Sequence, residues 1–269
     1  TAFRLASSEA ASSFKDPALY LEKYVEEPHH IEVQIVGDRH GGVVDLGERE
    51  CSVQRRHQKV VEESPSPYIT EATRKKVREA AVALAKEANY ENAGTMEFLV
   101  DKNQDFYFLE MNARLQVEHP VTEQVTGVDL VRTQFAIACG DHIEKLIPEV
   151  TPKGHAIECR IYAEDPDQGF MPSPGKIERV RNPEGPGVRV DTAVYSGLTI
   201  SVYYDPMIAK LIKWGMTREE AILRMQRALR EYQIVGPKTN IGFLEAVMAH
   251  PDFFNGGYDT SFIELCFEA

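Results

Sequence analysis

From Ile31 to Val36 the chain alternates, with Ile31, Val33 and Ile35 set against Glu32 and Gln34, which predicts a half-buried strand. The cluster Asp38-Arg39-His40-Gly41-Gly42 predicts a turn, and Val43 to Leu46 a return strand. From Thr70 to Ala88 the period becomes helical: Val77, Ala81, Leu84, Ala85 and Ala88 share a face, with Thr70 as N-cap. A second hairpin is predicted from Gly94–Val100 and Asp105–Asn112 around Asp101–Asp105, then a helix over Asp129–Cys139 closed by Gly140.

Pro148–Pro152, with two prolines and little periodicity, marks a boundary. Short strands are predicted beyond it at Gly154–Tyr162, Gly175–Arg181, Gly187–Asp191 and Pro206–Trp214. Thr217-Arg-Glu-Glu220 is a capping box opening a helix with Ala221, Ile222, Met225, Ala228, Leu229 and Tyr232 on its apolar face, and another helix is predicted over Thr239–Ala249. Thr1 to Glu9 carry no clear strand or helix start, and there is no internal repeat. Strands and helices are segregated rather than alternating, so the predicted fold class is α+β.

Composition narrows the function. The 269 residues are 43% hydrophobic and 27% charged, ordinary for a folded protein of one large or two smaller domains. Thirty Lys and Arg against 42 Asp and Glu leave a net charge of −12, which argues against nucleic acid or an anionic membrane as partner while leaving room for a local basic pocket. No stretch approaches the roughly 20 apolar residues of a membrane span. Cys51, Cys139, Cys159 and Cys266 show no metal-finger spacing, so a reduced, cytoplasmic protein is expected.

The candidate chemistry lies in Leu109–Glu118, where Glu110, Asn112, Arg114, Gln116 and Glu118 share one face if the strand stays extended. Alternation alone would suit a half-exposed strand, but acid, amide, guanidinium, amide and acid in sequence is unusual for a solvated face. With Asn103-Gln104 at the turn centre, Glu97 faces Glu110; like charges directly opposite are destabilising, and a divalent cation between them removes the conflict. Asn112 adds a neutral oxygen, and this all-oxygen set suits Mg²⁺ or Mn²⁺. A register shifted by one residue would remove the site. Arg55, Arg56, His57 and Lys59 form a positive cluster that is either a solvated face or an anion-holding strand beside that metal. No P-loop or dinucleotide fingerprint occurs, and His29 and His30, adjacent on a strand, cannot chelate together.

The runs Glu22-Lys-Tyr-Val25, Glu48–Glu63, Glu110–Glu123, Glu158–Asp165, Pro172–Lys176 and Tyr203–Lys210 resemble the biotin carboxylase family of ATP-grasp enzymes, which serve acetyl-CoA, propionyl-CoA and pyruvate carboxylation. The resemblance covers essentially the whole chain. It implies a remnant of the ATP-grasp lid over 1–21, the ATP-grasp C-terminal lobe over 22–150 and the biotin carboxylase C-terminal domain over 151–269. Glu22, Lys23, Tyr24 and Val25 resemble the hinge strand that meets adenine, and His30, Gln54 and His57 resemble nucleotide contacts. Glu97, Glu110 and Asn112 match metal and phosphate ligands; Lys59, Arg114, Gln116 and Val117 match the bicarbonate pocket; Glu118 matches the general base; Arg160 matches the group facing the biotin ureido oxygen. From sequence alone Arg160 would instead be a surface salt bridge with Glu158 or Glu164.

The implied cofactors and substrates are ATP, Mg²⁺ or Mn²⁺, bicarbonate, and biotin borne on a separate carrier. The implied partners are a biotin carboxyl carrier protein, a carboxyltransferase component, a second copy of the enzyme, and an N-terminal part holding the nucleotide-fold domain and glycine-rich lid. A mitochondrial matrix location is expected if the parent is eukaryotic. The chain is therefore expected to be a C-terminal piece that is inactive alone. Another bicarbonate-activating ATP-grasp ligase, of the carbamoyl phosphate type, and a non-catalytic assembly module are the competing readings.

Overall fold

The computed structural model describes residues 1–147 and 150–267, so Pro148 and Glu149 of the expected boundary lie outside the described residues. Six strands carry the site: β1 (His29–Gly37), β2 (Val43–Arg55), β3 (Gln58–Ser64), β4 (Asn92–Val100), β5 (Phe106–Asn112) and β6 (His155–Tyr162). With Val188–Thr192 and Met207–Gly215 they form one eight-stranded antiparallel sheet, ordered Val188–Thr192, Met207–Gly215, β6, β3, β2, β1, β4, β5. Four helices matter before the boundary: α1 (Ala2–Phe14), α2 (Glu71–Glu87), α3 (His119–Thr126) and α4 (Leu130–Ala138). The α+β class holds, and among the described residues no helix is long and apolar enough to cross a membrane.

The sheet is continuous through the expected boundary. Val61 pairs with Cys159 and Glu62 with Glu158, so β3 and β6 join the two halves as neighbouring strands. Two apolar clusters flank it. Ile31, Val33, Ile35, Met96, Phe98 and Val100 pack under α2 through Val77, Ala81 and Ala85. Ile157, Cys159, Ile161 and Leu211 pack under the helix Arg218–Glu231 through Ala221, Ile222, Met225, Ala228 and Leu229, in agreement with its periodicity.

Several expectations change. β1 is buried at all nine positions rather than half-buried, because its polar face is covered as well as its apolar one. Thr70 caps α2 by accepting from the Thr73 N–H, but Leu84 and Ala88 are exposed and Thr73 is buried, so the buried face is turned from the one predicted. The return strand runs through to Arg55, nine residues beyond the predicted end. α1 has no signature in the sequence: it buries none of its residues, and Phe3, Leu5 and Phe14 stay exposed. Glu22, Lys23, Tyr24 and Val25 form no strand; Val25 is buried and Tyr24 exposed.

Glu63 on β3 ties the halves together. It accepts from Arg218 at 2.7 and 2.9 Å, from the Tyr258 hydroxyl at 2.5 Å, and pairs with His155 on β6. Burial pushes its carboxyl up, but His155 and Arg218 outweigh burial and hold it at about 2 against an ordinary 4.5. A depressed carboxyl contributes fully above its unfolded value and loses that contribution as pH falls toward the folded one. Glu63→Gln should therefore cost about 3–5 kcal/mol at neutral pH, the range for breaking a buried pair. Urea unfolding across a pH series should show that deficit shrinking between 4.5 and about 2; a deficit independent of pH would show that the charge is not what matters.

Candidate functional site

The facing carboxylates form, by a route other than the predicted one. The β4–β5 turn is closed by Asp101 N–H to Asp105 O at 2.9 Å, and Val100, Leu99 and Phe98 pair with Phe106, Tyr107 and Phe108. Continued unbroken, that register would set Glu97 opposite Leu109. A β-bulge inserts Leu109 as an extra residue, and Glu97 meets Glu110. The true turn centre lies half a residue before the predicted one, and the bulge makes up the difference.

β5 then stops at Asn112, so the predicted face from Glu110 to Glu118 is not one strand. Residues 113–118 leave the sheet and lead into α3, whose start is fixed by Pro120 in its first turn. Gln116 and Glu118 return to the sheet as buried side chains on this loop. Gln116 Nε2 donates to Glu97 at 2.6 Å, while its Oε1 accepts from Arg49 at 3.2 Å. Arg114 stays exposed, bonded only to the Leu115 carbonyl at 3.3 Å.

A second bulge sets the other wall. Between the pairs Val53–Val61 and Gln54–Lys59, β3 holds one residue more than β2, and Val60 is the extra one. Lys59 and Glu62, three apart, consequently reach the same site instead of opposite faces. Lys59 Nζ donates to Glu32 at 2.6 Å, Glu97 at 3.1 Å and Glu118 at 2.6 Å. The other oxygen of Glu118 accepts from Arg160 Nη2 at 3.0 Å, and Arg160 Nε donates to Glu62 at 2.6 Å. Arg160 is therefore no surface pair with Glu158 or Glu164; Glu164 binds Arg55 at 3.3 Å.

Beneath this layer Arg49 is fully buried. It donates to Glu32, to Gln34 at 2.8 Å, to Thr122 at 3.0 Å and to Thr95 at 3.3 Å. Burial pushes the Glu32 carboxyl up, but Arg49 and Lys59 hold it down at about 2. Burial acts the same way on Glu97, and the His30 hydrogen bond and charge, Lys59 and Gln116 hold it at about 2. Burial lowers Lys59, yet Glu32 and its other acid neighbours keep it above the ordinary lysine range. Gln54 Nε2 donates to His30 Nδ1 at 2.8 Å, which leaves His30 Nε2–H, 2.8 Å from Glu97, as the donor; the tautomer is assigned from this network. His29 points the other way, to Glu50 and against the Tyr68 ring, so the two histidines do not converge.

A cavity of about 360 Å³ gathers His30, His57, Lys59, Glu97, Glu110, Asn112, Arg114, Gln116, Val117, Glu118 and Arg160, with Gln58, Tyr162 and Asp205. Gln54 sits behind His30, and Glu22–Val25 lie outside the lining, with Lys23 on the Tyr107 hydroxyl at 2.7 Å. The basic cluster is dispersed: Arg56 and His57 are the left-handed turn residues between β2 and β3, and Arg55 is spent on Glu164 and the Phe170 ring. Asn112 Nδ2 bridges Glu97 Oε1 at 3.0 Å and Glu110 Oε1 at 2.9 Å, filling the position between the two carboxylates. The donor set fits a hard cation, since the amide turned over would present Oδ1 beside two carboxylate oxygens. Sequence reasoning missed Glu32, Arg49, Glu62 and Lys210. Glu32 had a signal, a charge in a strand of alternating apolar residues; Arg49, beyond the predicted strand, and Lys210, on the Val117 carbonyl at 2.9 Å, had no such periodicity.

An antiparallel sheet with acids, an amide and a lysine converging on one polar cavity agrees with the ATP-grasp lobe that the sequence resemblance implies. Residues 1–146 match the family described as carbamoyl-phosphate synthase L chain, ATP binding domain, and residues 158–265 match the biotin carboxylase C-terminal domain. The chain belongs to the biotin carboxylase family. It is 52% identical over 262 residues to a biotin carboxylase of Nostoc sp., covering 97% of this chain and 59% of that one. It is 54% identical over 262 residues to a biotin carboxylase of Halalkalibacterium halodurans, covering 97% and 58%. The dimeric biotin carboxylase domain of Hydrogenobacter thermophilus 2-oxoglutarate carboxylase, in complex with MgADP, ADP and bicarbonate, superposes with a TM-score of 0.93 at 47% identity, over 98% of this chain and 58% of that one. The chain thus spans less than three fifths of the length of these proteins.

Removing the central cation is the sharpest structural test. Lys59→Met leaves Glu32, Glu97 and Glu118 facing one another and should cost about 3–5 kcal/mol at neutral pH. The loss should narrow as pH falls from 4.5 toward about 2, where Glu32 and Glu97 of the parent also take up protons. Denaturant unfolding at neutral and acid pH checks both; an unchanged midpoint at neutral pH would contradict the arrangement.

Proposed function

We propose that this chain carries the bicarbonate end of a biotin carboxylase, which uses ATP and bicarbonate to carboxylate biotin on a carrier protein. The observation that carries the reading is Glu118, buried on a loop with one oxygen on Lys59 and the other on Arg160, at the wall of the cavity that also holds the Glu97–Glu110 pair. Arg114, at the mouth with its fork uncommitted to any acid, and Lys59 orient bicarbonate toward the γ-phosphate while Glu118 accepts its proton. Attack of the bicarbonate oxygen on the γ-phosphorus gives carboxyphosphate and releases ADP. Carboxyphosphate breaks into CO₂ and phosphate, phosphate takes the ureido N–H proton of biotin, and that nitrogen attacks the CO₂ while Arg160 faces the oxyanion on the ureido oxygen. Glu97, Glu110 and Asn112 would hold Mg²⁺ or Mn²⁺, which would supply positive charge beside the phosphoryl group being transferred. His30, Gln54 and His57 face the nucleotide, and Glu22–Val25 meet its adenine.

The functional division is lid remnant over 1–21, ATP-grasp lobe over 22–150 and C-terminal domain over 151–269. The partners are the biotin carrier, a carboxyltransferase, an N-terminal nucleotide-fold and lid part, and a second copy, in the cytoplasm or mitochondrial matrix. The cavity's groups are suited to bicarbonate and nucleotide, so the acceptor, acetyl-CoA among the candidates, is selected by the carboxyltransferase. Arg160, set in the segment matching the biotin carboxylase C-terminal domain, favours this reading over a carbamoyl phosphate ligase.

In the complete carboxylase, Glu118→Gln should lower biotin-dependent turnover by about 10²–10⁴-fold, the usual range for a general base. Near-parental ADP release at saturating bicarbonate would remove Glu118 from that role. Glu110→Gln should weaken Mn²⁺ binding, read by electron paramagnetic resonance of the free ion; unchanged binding would move the metal elsewhere.

A further inference from the structure

Behind Arg160 lies a second pair of facing acids. Glu62 on β3 and Glu158 on β6 are direct register partners, and neither has measurable exposure. Glu62 Oε1 accepts from Arg160 Nε, but Glu62 Oε2 and both oxygens of Glu158 have no donor. Arg160, Glu118 and Lys59 surround Glu62; Lys210, Arg160, Glu118 and Glu62 surround Glu158. Lys210 is itself committed to the Val117 carbonyl and Asp191, and Lys59 to three other carboxylates, so among the described residues no free cation serves Glu158. Two ionised carboxylates, directly opposite and buried, would carry a desolvation and repulsion against which Arg160 offers one hydrogen bond, to Glu62, and none to Glu158.

We infer that Glu62 and Glu158 share one proton, carried by Glu158 and donated toward the free oxygen of Glu62, and that the resulting single negative charge positions Arg160. The pair acts as a backstop: one unit of charge grips Nε, and the far edge of the guanidinium is left to reach Glu118 and the cavity. Without the proton, two negative charges would draw Arg160 back toward β3 and β6. Burial pushes Glu62 up to about 7 and holds Glu158 well above the ordinary carboxyl value, so the pair keeps a proton where an ordinary carboxyl has lost it. Glu62 is a positioning residue, since it acts only through Arg160, and this part of the inference rests on reading Arg160 as the group that faces biotin.

Infrared difference spectroscopy on the protein at mildly alkaline pH tests the proton without reference to any reaction. A carboxylic-acid carbonyl band should be present, should vanish in Glu158→Gln, and should survive in Glu62→Gln. Absence of the band, or its persistence in Glu158→Gln, overturns the shared proton whatever the reaction proves to be. Positioning is tested in the complete carboxylase. Glu62→Gln replaces a charge-assisted bond to Arg160 by a neutral one, and should raise KM for free biotin roughly tenfold while KM for ATP and for bicarbonate stays within about twofold. Equal losses for all three substrates would overturn the positioning role and leave the proton result standing. Should Glu62→Gln fold poorly, Glu158→Gln, which leaves the single negative charge on Glu62, should keep KM for biotin within about twofold, and a tenfold rise there would overturn the assignment of the positioning charge to Glu62.

Discussion

Lys59 stands at the crossing of the site, and most of the surrounding structure is arranged around what its charge permits. Glu32 faces Glu97 across β1 and β4, Glu97 faces Glu110 across β4 and β5, and Glu118 closes in from the loop before α3. Such a row of acids on one sheet face is stable only with cations at measured intervals. Arg49 supplies one below, Arg160 one at the β6 side, and Lys59 the one that touches three acids at once. The cavity is consequently rich in fixed charge of both signs, the condition in which positioned groups act most strongly on a reacting anion.

Two bulges convert an ordinary antiparallel sheet into that arrangement. Leu109 shifts β5 so that two acids face each other, and Val60 shifts β3 so that Lys59 and Glu62 arrive together. Each bulge changes the side-chain parity of one strand by a single residue, which is all that separates a converging site from charges scattered over two faces.

The long periodic elements are legible in the sequence. The capped helices, the hairpin and the core face of Arg218–Glu231 follow from apolar spacing and cap residues alone. The Glu97–Glu110 pairing is legible too, although only because the bulge at Leu109 cancels a misplaced turn centre. What stays hidden depends on partners distant in the chain. Arg49 lies beyond the predicted strand Val43–Leu46, and its place becomes visible only when Glu32, Gln34, Thr95 and Thr122 are brought around it. The Arg55–Lys59 cluster reads as a solvated face or an anion-holding strand, and the β2–β3 turn disperses it. The alternation of 109–118 continues in the letters after the strand has ended, because Gln116 and Glu118 are held by side-chain hydrogen bonds and not by pleat.

The same network bears on the proposal that an acidic protein holds bicarbonate. Glu32, Glu97 and Glu118 are offset by groups in contact with them, while Arg114 lines the cavity exposed, donating to the Leu115 carbonyl. The measurement that bears most directly on this arrangement is the location of bicarbonate in the nucleotide-loaded complete enzyme, by dipolar-recoupling NMR from ¹³C-bicarbonate to ¹⁵N-labelled lysine and arginine side chains. Close contacts are expected to both Lys59 Nζ and the Arg114 guanidinium, each abolished by substituting that residue. A bicarbonate carbon in contact with neither would contradict the proposed clamp.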